Sequence, residues 1–367
     1  MHQTLPISMH DRSLAGFSSA KKMMFLLMWV VNSIIGYAQQ PSIIFIMTDD
    51  MGYGDLSGYG QKNYSTPNLD KLAAQGMKFV NAYSAGAVCT PTRAAFMTGS
   101  YPARTTVGLS EPLTGSEKDL SIGLTPAVPS IATLMKNAGY TTALIGKWHL
   151  GALPEHSPNK NGFEYFFGFH AGASDYISHR NLGGKPDLYE NETAILRDGY
   201  LTEIFTEKAI SFLKQKHQKP FFLALMYNAP HWPWQGPTDP AYADATDFRT
   251  GGSVAVYAEM MKSLDNSIGK IMKTLDDDQL SQETMVIFTN DNGGERYSDH
   301  AGLSKRKGTL WEGGIKVPAF VRWPGKIKAG STTEQLVITM DWTATILALG
   351  QAKAGPAATI DGIDLLP

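Results

Sequence analysis

The sequence predicts an α/β protein built on a mostly parallel sheet, and three observations predict it. Short apolar runs alternate with helix-patterned stretches along the chain. No internal repeat or low-complexity segment interrupts that alternation. Four of the runs stop on polar residues able to do chemistry, as strands do where they feed a site at one sheet edge.

The elements follow in order. Ser42–Thr48 (SIIFIMT) reads as a buried strand. Thr66 and Pro67 open a helix running through Leu72, with a capping hydroxyl, a proline in the first turn and Gly76 as its end. Pro129–Asn137 reads as a helix stopped by Gly139, and Tyr140–Ile145 as the second strand. Leu201–Lys214 is an amphipathic helix, followed by the strand Phe221–Tyr227 (FFLALMY). Tyr257–Leu275 is a long helix, Met285–Thr289 (MVIFT) a fourth strand and Val317–Arg322 a fifth.

Composition narrows the function. The 367 residues hold 32 Lys+Arg against 34 Asp+Glu, a formal net charge of -2, with 43% apolar and 18% charged residues. That balance argues against long disorder, collagen or coiled coil. It offers no basic footprint for nucleic acid and no general attraction to an anionic membrane. The single cysteine excludes an intrachain disulfide framework and a multi-thiolate zinc site. Near the N-terminus, Lys21 and Lys22 precede the apolar run 23–35, and Gly36 and Ala38 follow. This pattern predicts a signal peptide over residues 1–38, a mature chain over 39–367, a periplasmic or secreted location and no stable membrane span after cleavage.

The residues after the strands form the candidate site. The first strand runs into Asp49 and Asp50, the second into Lys147 and His149, the third into His231, and the fourth into Asp291 and Asn292. Any one cluster has an ordinary structural explanation as a turn, a satisfied histidine or a solvated lysine. Four clusters at one sheet edge favour a site. Asp49, Asp50, Asp291 and Asn292 offer only oxygen donors, which suit Ca²⁺ or Mg²⁺ better than zinc. Arg93, Lys147 and Lys307 add the positive charge that binds a tetrahedral oxyanion. His149 and His231 can move protons near neutral pH. Cys89 stands at the start of a helix-like stretch ended by Gly99, with Arg93 four residues on along the same face. A buried structural cysteine and a thiolate nucleophile are the two plain readings of Cys89.

These residues resemble the type I, formylglycine-dependent sulfatases of the alkaline phosphatase-like superfamily. The Cys-x-Pro-x-Arg signature stands at Cys89, Pro91 and Arg93, followed by Thr98-Gly99; Thr92 occupies a place where Ser or Ala is commoner. Gly-Lys-Trp-His-Leu-Gly is intact at Gly146–Gly151, Asp-Asn-Gly-Gly at Asp291–Gly294, and the element with a second sulfate-binding lysine at Lys307–Gly314. The resemblance spans nearly all of the expected mature chain. It implies an alkaline phosphatase-like fold, a large sheet sandwiched by helices.

The resemblance also implies roles. Cys89 would be oxidised to formylglycine by a dedicated maturation enzyme. One hydroxyl of the hydrated aldehyde would attack sulfur and release the alcohol, and the other would then expel sulfate. Asp49, Asp50, Asp291, Asn292 and the group made from Cys89 would hold a divalent cation, Ca²⁺ most often and Mg²⁺ as the alternative. Arg93 would anchor the formylglycine, and Lys147 and Lys307 would grip the sulfate. His231 would stand by the leaving oxygen with Lys307 sharing the role of acid, and His149 would take the proton of the second hydroxyl.

For substrate, residues 172–179 and the runs 197–199 and 204–206 are similar to loops of the arylsulfatase A and B branch, which includes the N-acetylgalactosamine sulfatases. A sulfated glycosaminoglycan or galactan fragment is the expected substrate, with Tyr176, Trp232 and Trp234 as residues that could stack on sugar faces. Family members continue past a stretch similar to residues 361–367 into a smaller C-terminal region, so a catalytic domain truncated at that end is expected. Two other functions compete: a phosphomonoester or phosphonate hydrolase of the same superfamily, and a catalytically silent protein that binds sulfated glycan.

Overall fold

The computed structural model describes residues 40–110, 112–114, 119–242 and 247–366. The expected signal peptide over 1–38 lies outside the described residues. Ten strands form one sheet: β1 (Ser42–Thr48), β2 (Met77–Tyr83), β3 (Thr141–Lys147), β4 (Tyr165–Phe169), β5 (Tyr189–Glu190), β6 (Thr193–Ala194), β7 (Phe221–Met226), β8 (Thr284–Asn290), β9 (Ala319–Arg322) and β10 (Ser331–Ile338). Their spatial order is β10-β2-β9-β8-β1-β7-β3-β4-β5-β6. The central run β8-β1-β7-β3-β4 is parallel throughout. β9 runs antiparallel between β2 and β8, and β5 and β6 turn back at the far edge. The predicted mostly parallel sheet is therefore present.

Parallel central strands are buried on both faces, and this is why they read as continuous apolar runs. Successive side chains go to opposite sides. Ile44, Ile46, Leu223, Leu225, Val286 and Phe288 join one core, and Ile43, Phe45, Phe222, Ala224, Met285 and Ile287 join the other. The first core is closed by α1 (Pro67–Ala74), α4 (Leu201–Leu213) and α5 (Val254–Asp277), through Leu72, Phe205, Leu264 and Ile268 among others. The second is closed by α2 (Cys89–Thr98), α3 (Ile131–Asn137) and α7 (Thr339–Leu349), through Phe96, Met135 and Ile346. The short α6 (Glu312–Ile315) follows the Lys307 loop. Among the described residues no helix is long and apolar enough to cross a membrane.

One expected detail is corrected. Thr66 does not cap α1; its hydroxyl accepts the Ser57 amide at 2.9 Å. The free amides of Asn68 and Leu69 instead donate to Asp265 of α5 at 3.0 and 2.9 Å. A carboxylate on a neighbouring helix thus does the capping, and it ties two elements together while satisfying the helix end.

Asp55 anchors the loop after β1. It accepts from Tyr257 Oη at 2.5 Å, Tyr64 Oη at 3.0 Å and the amides of Gly52 and Asp299 at 2.6 and 2.8 Å. Burial still pushes its carboxyl up from 3.8 to about 7, against those four donors. The folded protein therefore holds this proton more tightly than the unfolded chain. Its stabilising contribution is present below the ordinary carboxylate range and is lost as pH rises to about 7. The stability of wild type relative to Asp55→Asn should fall across that interval in urea titrations. A difference that stays flat, or rises, would contradict the buried-carboxyl account.

Candidate active site

The carboxyl ends of β1, β3, β7 and β8 lie side by side, so the four clusters after them meet. Register enforces this: Thr48 pairs with Asn290, Met47 with Met226, and Gly146 with Met226. Asn290 locks the two central ends, donating to Met51 O at 2.8 Å and accepting from Thr48 Oγ1 at 2.7 Å. Gly146 sits at φ +120°, where a Cβ would lie 1.9 Å from Met226 O, so only glycine lets β3 deliver Lys147 here. Asp50 and His149 follow their strands in the left-handed region, at φ 62° and 57°. Such residues cost of order 1–3 kcal/mol each and persist where packing over-determines them.

Cys89 is the first residue of α2, and that helix is buried along its whole length. Burial pushes the Cys89 thiol up and outweighs the nearby charges of Lys147 and Lys307. The group is therefore a thiol, and the thiolate reading loses its support. Lys307 Nζ lies 3.8 Å from Cys89 Sγ and 2.6 Å from Asp50 Oδ1. Lys147 Nζ lies 2.5 Å from Asp49 Oδ2, and both side chains are 0% exposed. Arg93 donates to Asp291 Oδ2 at 3.0 Å and to Lys147 O at 3.1 Å, and stands 3.7 Å from Asp49.

Three buried carboxylates thus face three cations. For Asp49, burial raises the carboxyl, but the permanent charges around it, Lys147 first and then Arg93 and Lys307, outweigh it and hold the group well below the usual range. For Asp291, burial and then the Asp49 charge push it up to about 7. Burial opposes the Lys307 ammonium, yet the surrounding anions, Asp50 first, hold it above the usual lysine range.

The donor set fits a hard divalent cation. Ligand oxygens of Asp49, Asp50 and Asp291 lie within 4.8 Å of one another. Asp49 Oδ1 and Asn292 Oδ1 are buried and have no hydrogen-bond partner. Asn292 Nδ2 donates to Asp50 Oδ1 at 2.8 Å, which fixes the amide with its oxygen as the open acceptor. Crowded, orphaned oxygens in a dry site are costly without a cation. Asp49, Cys89 and His231 also have donor atoms within the same mutual distance.

Both histidines are neutral. Burial, the largest cause, lowers each well below the ordinary imidazole range. His149 Nε2 donates to Leu113 O at 2.8 Å, which leaves Nδ1 as a buried lone pair with no partner. His231 Nδ1 donates to Trp232 O at 2.5 Å, which leaves Nε2 3.5 Å from Asp50 Oδ2. The ten residues expected as catalytic or metal-binding therefore lie together.

Four positioning groups were not singled out for these roles. Thr90 accepts the Leu113 amide at 3.1 Å and approaches His149 at 3.4 Å. Gly172 leaves room for the His149 ring, since a Cβ there would lie 2.6 Å from Nε2. Asn290 joins the strand ends. Tyr176, expected as a sugar platform, is 0% exposed. Its hydroxyl lies 2.8 and 2.9 Å from the carbonyls of Asn228 and His231, so it braces the His231 turn. Trp234 is also buried, packed edge-on against Tyr297, and only Trp232 is partly open. None of these roles has a local motif; each arises from contacts between distant segments.

Comparison with known proteins agrees with this arrangement. The sulfatase family profile matches residues 41–352. N-acetylgalactosamine-6-sulfatase of Canis lupus familiaris is 36% identical over 354 residues, which cover 90% of this chain and 66% of that protein. Arylsulfatase J of Mus musculus is 34% identical, over 89% of this chain and 55% of that protein. The chain thus spans less than two thirds of the length of these curated relatives. Among solved structures, Ps i-CgsB superimposes with a TM-score of 0.80 at 33% identity, covering 89% of this chain and 75% of the other. The same protein is known in complex with k-i-k-neocarrahexaose. A family match over most of the chain, on an α/β sheet whose strand ends gather these residues, shows that this protein belongs to the sulfatase family.

Proposed function

We propose that this protein hydrolyses sulfate monoesters on a sulfated carbohydrate, a glycosaminoglycan or galactan fragment, outside the cytoplasm. The observation that carries the reading is the convergence of an all-oxygen cradle with Cys89 and two buried or nearly buried lysines. The similarity to N-acetylgalactosamine-6-sulfatases and to a structure solved with a neocarrahexaose supports the carbohydrate class. Cys89 is the precursor of formylglycine, made by a maturation enzyme, and the hydrated aldehyde supplies the hydroxyl that attacks sulfur. Asp49, Asp50, Asp291 and Asn292 would hold Ca²⁺ or Mg²⁺, which supplies Lewis-acid stabilisation of charge on the sulfate and on the group made from Cys89.

The chain's own side chains supply the rest. Lys147 and Lys307 present ammonium groups to the sulfate oxygens, where preorganised charge in a dry site is most effective. Arg93 ties the first turn of α2 to the end of β3 and to Asp291. His149 keeps Nδ1 free as a base because Leu113 O occupies the other nitrogen. Lys307 carries a proton that the departing sugar oxygen can take, and His231 shares that role of acid when its free Nε2 takes up a proton.

The test is sulfate release from 4- and 6-sulfated N-acetylgalactosamine, sulfated galactose and glucosamine, and an aryl sulfate. The protein is co-expressed with a formylglycine-generating enzyme. Release from a sugar supports the reading, and no release from any member of the panel overturns it. His231→Ala should lower kcat by about 10²–10⁴-fold on sugar sulfates, whose alkoxides leave poorly, and by clearly less on an aryl sulfate. Equal losses on both would remove His231 from the leaving-group side.

A further inference from the structure

Beside His231, outside the cluster just described, lies a paired arginine platform. The Trp232 ring stands 4.3 Å from the His231 ring, and the Arg249 guanidinium lies over the Trp232 ring at 5.0 Å. Arg296 lies over the neighbouring Trp234 and Tyr297 rings at 5.5 and 5.9 Å. Arg296 Nη1 reaches Arg249 O at 3.4 Å, and Tyr297 Oη donates between the carbonyls of Gly251 and Gly252, each 3.1 Å away. Two exposed arginines from segments far apart in sequence are thus held together next to the site.

Their free valence is what matters. Stacking uses the face of a guanidinium and leaves its in-plane N–H donors pointing outward. Among the described residues, neither arginine has a carboxylate partner. Asp247 accepts the Arg249 backbone amide at 3.0 Å, and Glu295 lies toward Arg306 at 3.9 Å. Surface arginines usually find an acidic neighbour or wave in solvent. Here two lie over aromatic rings; among the described residues the Arg249 guanidinium has no hydrogen-bond partner and Arg296 spends only Nη1, on Arg249 O, so each keeps N–H donors that match a planar or tetrahedral oxyanion.

We propose that Arg249 and Arg296 bind a second anionic substituent, a sulfate ester or a carboxylate, on the sugar next to the one that loses its sulfate. The platform makes the protein select a multiply charged oligosaccharide over a singly sulfated monosaccharide. This rests on the sulfatase reading and adds the charge pattern of the substrate to it.

The experiment compares three disaccharides carrying the same scissile sulfate, with a second sulfate, a uronate or no charge on the neighbouring sugar. Wild type should prefer either charged form by kcat/KM. That preference should fall about 10-fold in Arg249→Gln and in Arg296→Gln, and further in the double variant. Arg249→Lys should retain part of it, and added salt should erode it in wild type. The two anion types are separated by which disaccharide shows the larger ratio. A ratio unchanged in the double variant, or equal losses on all three substrates, overturns the proposal. If no substrate is turned over, the sulfatase reading fails by itself. The platform is then judged by calorimetric binding of the three disaccharides to Cys89→Ala protein with and without the arginine changes. Charge-selective binding lost with the arginines supports it, and binding indifferent to them overturns it.

Discussion

Cys89→Ala is expected to lower sulfate release by roughly 10⁵–10⁶-fold, the scale seen when a covalent nucleophile is removed. The structure gives two reasons for so large a loss. Cys89 is buried at the start of α2 and burial holds it as a thiol, so the unmodified side chain is a poor nucleophile. The chain has no second cysteine that could take its place beside Asp49, Lys307 and His231. The same loss should follow when wild-type protein is made in cells without a formylglycine-generating activity. Mass spectrometry of the peptide holding residue 89 should then show intact cysteine, and co-expression should convert it to an aldehyde as activity appears. The fold should survive: deleting one buried sulfur costs about 1 kcal/mol, within reach of a thermal melt. Full activity in Cys89→Ala protein would remove the entire covalent mechanism.

The sequence made the centre of the fold readable and left its margins obscure, for one physical reason. β1, β7 and β8 are buried on both faces and read as apolar runs; β1 has the expected bounds, β7 ends one residue earlier than expected and β8 is one residue longer at each end. β2 (MKFVNAY) and β10 (STTEQLVI) are partly exposed, so neither carries a continuous apolar signal, and both went unread. β4 (YFFGF) was hidden by its glycine. Gly168 is required because a Cβ there would lie 1.8 Å from Gly146 O on the neighbouring strand, a constraint that only pairing reveals. α7 (TMDWTATILAL) is rich in threonine, a weak helix former, and is held by burial of Trp342 and Ile346 in the second core. The site follows the same division. Its charged members stand in short local motifs, whereas Tyr176, Thr90 and Asn290 act through backbone carbonyls and amides of remote segments. The Thr66 cap failed likewise, because Asp265, 199 positions away along the chain from Thr66, competes better for the same amides.

Removing divalent cation should abolish turnover and lower the melting temperature. Without it, Lys147 and Lys307 are spent on Asp49 and Asp50, at 2.5 and 2.6 Å, and are not available to a sulfate. The three carboxylates and three basic groups balance, so a bare sulfate monoester would add an uncompensated anion to a dry site. A divalent cation brings two positive charges, more than the one negative charge of the monoester, and by taking the carboxylate oxygens it frees both ammonium groups for the sulfate. At a hundredfold excess over its dissociation constant, a cation adds about 2.7 kcal/mol of stability. In a chain of this size that is a shift of about 4 °C. Protons compete for the same oxygens, and Asp291 is pushed up to about 7. The cation-dependent shift should therefore be full above that pH and shrink as pH falls below it. Asp291→Asn keeps the shape and removes one charge, so it should weaken the shift and its pH dependence together. Thermal melts of chelated protein titrated with Ca²⁺ and with Mg²⁺ at pH 5 and pH 8 decide the matter. A shift absent with both ions at pH 8, or the same in Asp291→Asn, would mean that the oxygen cradle is balanced by its lysines alone.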